Sequence, residues 1–181
     1  MKTTFIPLAL AVALLTGCAA NVPSGIDSAY HAIDTAMLGE WNGPNNTTVE
    51  IEHLGGSAFE LEVSDAKDEA TYRGHLLDIS GKKFAEVSVF QPDQKTEVPV
   101  YLYAMVEVSG DTMVHKPIKA EWLAEQSRNL PSAIYRSTAD EQPGSGGVVV
   151  RDRAAMLELL RKASTDPSAF GATETLTRKK K

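Results

Sequence analysis

Cysteine occurs once in the 181-residue chain, at position 18. A single thiol closes no intrachain disulfide and builds no Cys-rich zinc site, so packing alone must hold the fold. Long apolar runs are missing too. Residues 5–15 form a short one, interrupted by Pro7, far below the roughly 20 residues that a spanning helix needs. Positive charge is in deficit: 18 Lys and Arg stand against 24 Asp and Glu, a formal net charge of −6, which argues against nucleic acid as a partner. Catalytic signatures are also absent. The four histidines, His31, His53, His75 and His115, show neither His-x-x-x-His nor His-Glu-x-x-His spacing, so no metal site is read from them. No Gly-x-Ser-x-Gly elbow is present to activate a serine. Gly144-Ser145-Gly146-Gly147 precedes neither Gly-Lys-Ser/Thr nor a helix start, and so reads as a linker or hairpin loop rather than a phosphate cradle. The expectation is a non-enzyme without cofactor or metal.

The N-terminus carries the most specific pattern. Lys2 supplies a short positive start, residues 5–15 an apolar core, and Leu15-Thr16-Gly17-Cys18 an apolar position and two small residues ahead of the thiol. This stretch resembles the lipobox of bacterial lipoproteins. The resemblance covers residues 1 to about 20. It implies cleavage between Gly17 and Cys18, acylation of Cys18, and membrane attachment through chains that each contribute about 0.8 kcal/mol per buried CH₂. It also uses up the thiol, which excludes a catalytic cysteine. Ala19 stands where an Asp would mark inner-membrane retention, so the implied place is the outer membrane, facing the periplasm.

Organisation follows in order. Residues 1–17 read as signal peptide and 18–25 as a polar tether. Residues 26–172 read as one soluble β-rich domain, and 173–181, ending in four basic residues, as a disordered tail. Apolar residues at 26, 29, 30, 33, 36 and 37 have a helical period and predict a short amphipathic helix, with His31 on its solvated side. Strand signals then alternate over 49–54 and 59–63 around Gly55-Gly56, over 71–79, 84–90 and 97–108, and over 112–115 after Ser109-Gly110-Asp111. Glu50, Glu52, Glu60 and Glu62 fall on one polar face, a solvated arrangement rather than acid–base machinery. Gly74 marks a bulge or sharp bend. Helices are expected over 119–129 and 153–164, the second capped by Asp152 and ended by Asp166-Pro167. Regular short strands without βαβ alternation argue for a mainly β fold with peripheral helices, an antiparallel meander.

Gly39-x-Trp41, at the start of this region, resembles the opening of lipocalin-like barrels. There a Trp plugs the barrel base and the Gly permits close approach. The implied fold is a closed or nearly closed barrel, with Arg151 or Arg153 as the arginine that covers Trp41. No Thr-Asp-Tyr-like second motif follows, so a sandwich or half-barrel stays open. A small barrel either fills with side chains or encloses one ligand. The candidate lining is Trp41, Phe59, Leu61, Tyr72, Leu76, Val87, Tyr101 and Tyr103, with a small apolar molecule or envelope lipid as the occupant. Two other functions are weighed. An interaction lipoprotein would contact an envelope protein through an apolar patch around Trp122 or the loop 131–147. An envelope hydrolase would need a pocket joining His53, His75 or His115 to a carboxylate, with His53 and His75 the pair expected to approach.

Overall fold

The computed structural model describes residues 19–21, 26–89, 100–128, 133–136, 147–150 and 153–180. Two short strands come first, β1 (Ala19–Asn21) and β2 (His31–Ala32). A meander follows: β3 (Gly39–Asn42), β4 (Thr48–Gly55), β5 (Ala58–Ser64), β6 (Glu69–Ile79), β7 (Lys82–Val89), β8 (Val100–Ser109) and β9 (Thr112–Pro117). Then come helix α1 (Ala120–Ser127), strands β10 (Ala133–Arg136) and β11 (Gly147–Val150), helix α2 (Arg153–Thr165) and strand β12 (Glu174–Arg178).

Each neighbour in the meander pairs antiparallel with the next. β12 then slots between β9 and β3, and so closes an eight-stranded barrel. The tight turns sit where the chain supplies residues that accept positive φ: Gly55 and Gly56, Ser80 and Gly81, and Gly110. Register follows the hydrophobic alternation. Val49 pairs with Val63 and Ile51 with Leu61 toward the interior, while Glu50 faces Glu62 and Glu52 faces Glu60 on the opposite face. The mainly β, lipocalin-like barrel with peripheral helices is thus the architecture found.

Two cores result, because β6–β8 are apolar on both faces. The inner face carries Leu76 and Val87, which pack with Trp41, Val49, Phe59, Val106, Met113 and Leu176 inside the barrel. Leu77, Ile79, Phe84, Tyr103 and Met105 belong to a second cluster, covered by α1 and α2. Each such side chain, fully buried, contributes about 1.5–3 kcal/mol. Helix α2 buries Ala155, Met156, Leu159, Leu160 and Ala163, the three- and four-residue spacing of one helical stripe. Helix α1 buries Trp122 and Leu123, and the Trp122 Nε1–H donates to Asp166 Oδ2 at 2.7 Å. Both helices lie close to the expected 119–129 and 153–164. The proposed Asp152 cap lies outside the described residues.

Gly74 is not a bulge. It keeps register with Phe59 and Val87, and a Cβ there would lie 1.9 Å from the Glu86 carbonyl oxygen, so glycine permits close approach of two backbones.

Three expectations are corrected. Residues 26–37 form no amphipathic helix. Asp27 and Asp34 each cap a separate 3₁₀ turn, accepting from the N–H of Ala29 and of Ala36, and β2 lies between the turns, paired with Leu76 and Leu77. The aspartates offer the backbone a local partner that competes with helix. The C-terminal segment is not a disordered tail: residues 174–178 pair with both β9 and β3, because Leu176 enters the barrel core and the two barrel edges supply backbone partners. Within the presumed tether, Ala19–Asn21 is a strand, antiparallel to the first part of β8 and parallel to β11. Backbone pairing there needs no apolar side chain. Cys18 and Gly17 lie outside the described residues, as do Arg151, most of loop 131–147 and Lys181.

Candidate functional site

The base of the barrel is a stack. Trp41 is fully buried, and its indole N–H donates to the Met37 carbonyl at 2.8 Å. Over its ring lies the guanidinium of Arg178, 4.1 Å from the ring centre. The same guanidinium donates from Nη1 to the Leu38 carbonyl at 2.9 Å and from Nη2 to the Ala36 carbonyl at 2.6 Å. One side chain thus holds the indole and the segment that leads into the barrel. The covering arginine comes from the closing strand and is Arg178 rather than Arg153; Arg151 lies outside the described residues. Gly39 adopts the positive φ of +105° beside the guanidinium, and a Cβ there would meet Arg178 Nη1 at an ordinary contact distance of 3.4 Å.

The barrel strands line a cavity of about 70 Å³. Phe59, Leu61, Val87 and Tyr103 border it, as the sequence suggested. Trp41, Tyr72 and Leu76 do not; they are buried in the inner cluster beside it. Tyr101 packs against the outer cluster under the helices. Tyr103 belongs to that cluster too, and its hydroxyl donates to Glu86 Oε1 at 2.9 Å. The strand period of two explains both: Tyr101 and Tyr103 share a face with Met105, on the helix-covered side.

Glu86 itself was not foreseen. It is buried with both carboxylate oxygens 3.0 Å from the Ile26 N–H, and burial pushes its carboxyl above the usual range. The signal was in Phe84-Ala85-Glu86-Val87, where both alternating faces are apolar, so an intervening carboxylate must be buried on one of them.

His115 was among the histidines weighed in the sequence, but its partner Glu174 was not foreseen. His115 borders the cavity at 9% exposure, between Met113 and Pro117, which also line it. Its Nε2 lies 3.1 Å from Glu174 Oε2, the residue opposite it on β12. Its Nδ1 has no hydrogen-bond partner among the described residues. Burial holds the imidazole down at about 4 and pushes the Glu174 carboxyl up, so the pair is not a charged bridge near neutral pH. A neutral imidazole beside a carboxylate carries its proton on Nε2, which leaves Nδ1 a bare acceptor. A histidine and a carboxylate do meet at a pocket, as a hydrolase would require. Among the described residues, those lining the cavity include no serine, threonine, cysteine or lysine.

The other histidines are placed by the hairpin turns. His53 Nε2 bonds the Gly56 carbonyl at 2.9 Å within its own hairpin. The histidines that approach are instead His31 and His75, stacked with ring centres 4.0 Å apart. Ser57 Oγ lies 2.9 Å from His31 Nδ1 and 3.1 Å from His75 Nδ1, and His31 Nε2 lies 3.1 Å from the Ile26 carbonyl. His31 is therefore half-buried, not solvated. Among the described residues no three His, Cys, Asp or Glu side chains converge as a metal would require. Compared with protein-family models, with curated proteins and with solved structures, the chain matches none.

Proposed function

We propose that the chain is a lipid-anchored lipoprotein of the cell envelope, held at the outer membrane by acyl chains on Cys18. Its barrel is a non-catalytic binding module for a small apolar ligand or lipid. The observation that carries the binding is the apolar cavity of about 70 Å³. Anchoring rests on Leu15-Thr16-Gly17-Cys18 alone. The cavity is smaller than the roughly 300–1,000 Å³ of sites for drug-sized ligands and about half of one known to admit benzene. The fitting ligand is accordingly slim, an alkyl chain or a molecule of few atoms. Met37 and Met113 in the wall are unbranched and adjust to such guests.

Of the two places weighed for protein docking, the loop 131–147 lies mostly outside the described residues. Trp122 is only 6% exposed and is tied to Asp166, so it forms no apolar patch.

Native mass spectrometry tests the binding. The full-length protein, purified from membranes and released gently from detergent, should carry a reproducible extra mass that is lost on denaturation. A bare mass from several lipid-rich preparations would refute the binding module. Anchoring has its own test: Cys18→Ser should move the protein from the membrane to the soluble fraction.

A further inference from the structure

Two histidines from different elements share one hydroxyl at the β4–β5 turn. The rings of His31 and His75 stack with centres 4.0 Å apart and planes 17° from parallel. Ser57 Oγ lies 2.9 Å from His31 Nδ1 and 3.1 Å from His75 Nδ1. A carbonyl only accepts, so the bond to the Ile26 carbonyl puts the proton of a neutral His31 on Nε2. His31 Nδ1 then accepts from the Ser57 hydroxyl, and Ser57 Oγ accepts from His75 Nδ1–H. With both rings neutral, one arrangement of protons satisfies all three bonds. We propose that this cluster is a proton-operated latch, which holds residues 26–32 on the barrel while the rings are neutral and releases them when both are charged.

A first proton, on His75 Nε2, breaks no bond in the chain. A second must go to His31 Nδ1. It reverses the Ser57–His31 bond and sets two like charges face to face at the separation of the stack, where they repel strongly outside bulk water. Both residues are only half-buried, so protons from solvent reach them. The charged groups on the packed elements do not offset the repulsion. Glu86 of β7 lies in register with His75, but burial pushes its carboxyl up, so it loses charge as the imidazoles gain theirs. Glu60 of β5 is taken by Arg73 of β6, and Glu52 of β4 lies one strand further away. On the segment itself Asp27 accepts from the Ala29 N–H, and Asp34 pairs with Lys83 of β7. Arg153 and Arg161 of α2 and His53 of β4 can only add positive charge. The strand so held is slight: β2 has two residues, paired with Leu76 and Leu77. The latch lies outside the cavity and depends on neither the ligand nor the lipid anchor.

The test is amide hydrogen exchange on the full-length protein, corrected for the intrinsic effect of pH, alongside titration of the imidazole resonances. As pH falls below the ordinary imidazole value of 6.5 and both rings charge, protection of residues 26–32 should drop about tenfold or more while β4 and β5 keep theirs. His75→Phe keeps a ring for stacking without the charge, so protection should no longer follow pH. Glu86→Gln should leave the drop in place, because the carboxyl is not the trigger. Protection that persists with both rings charged would overturn the latch. So would a drop shared by β4 and β5, a drop that survives in His75→Phe, or one that is absent from Glu86→Gln. The first two outcomes are read in the unmodified protein and decide the matter even if a variant fails to fold.

Discussion

The guanidinium of Arg178 stacks on the indole of Trp41, so the closing strand of the barrel is clamped to the first. Arg178→Ala removes a cation–π contact and two charge-assisted hydrogen bonds to carbonyls. It should cost about 1–3 kcal/mol of unfolding free energy, read by urea denaturation. Arg178→Lys should recover only part of this, because an ammonium lacks the planar fork that reaches two carbonyls while lying flat on the ring. Equal stability of Arg178→Ala and the unmodified protein would show that the clamp contributes nothing.

Glu86 links the segment before β2 to the barrel wall, by accepting from the Ile26 N–H and the Tyr103 hydroxyl. Glu86→Leu strands both donors and should cost about 1–3 kcal/mol or more. Glu86→Gln keeps an acceptor. Burial raises the folded carboxyl above the usual 4.5, so the folded state binds its proton more tightly than the unfolded state does. The contribution of this group to stability is therefore greatest at low pH and falls as pH rises through its folded range. Relative to Glu86→Gln, the unmodified protein should lose stability as pH rises above the usual carboxyl value of 4.5. A constant difference above that value would contradict the assignment.

His115 has the opposite dependence. Burial lowers its imidazole from 6.5 to about 4, so the unfolded chain takes up a proton in a window where the folded chain does not. Stability is then complete above 6.5 and is lost as pH falls toward 4, by up to about 3 kcal/mol from this group. Glu174, raised by burial, works the other way in the lower part of the window and offsets part of the loss. The imidazole should show no protonation above pH 5 when its ring resonances are titrated. An ordinary titration near 6.5 would mean that the ring is solvated.

Gly74→Ala should be among the most damaging single-methyl changes in the chain. The added carbon would meet backbone of the neighbouring strand at Glu86, which no side-chain rotation relieves. Gly81→Ala adds its carbon in open space, and its cost is limited to the strain of positive φ, about 1 kcal/mol. Thermal melts of the two variants compare them directly. A milder effect at Gly74 than at Gly81 would refute the close-approach account.

Alternation made most of the barrel legible. Val49, Ile51, Phe59, Leu61 and Val63 announce the β4–β5 hairpin, and glycines mark its turn. Both helices showed their apolar stripes. The closing strand was not legible, because Glu174-Thr175-Leu176-Thr177-Arg178 carries one apolar residue and its fitness to pair comes from the edges of β3 and β9, which are remote in sequence. The opposite error arose at 26–37. The helical period there is real as spacing, but the residues go to different places: Ile26 to the outer cluster, Met37 to the inner one, and Ile33 to solvent. The pairing of His115 was not legible, since its partner Glu174 lay in the segment read as unstructured.

The order in which the ring is assembled along the chain has a consequence for biogenesis. β12 follows every other described strand, yet it occupies the seam between β3 and β9. Until β12 is in place the meander is therefore an open sheet with two bare edges, and the contacts that seal it have very large sequence separation, a feature of slow-folding topologies. A chain interrupted anywhere before residue 174 leaves both edges available to a neighbour's backbone. Such fragments should self-associate or be degraded, so completion of the seam doubles as a quality checkpoint on the finished polypeptide.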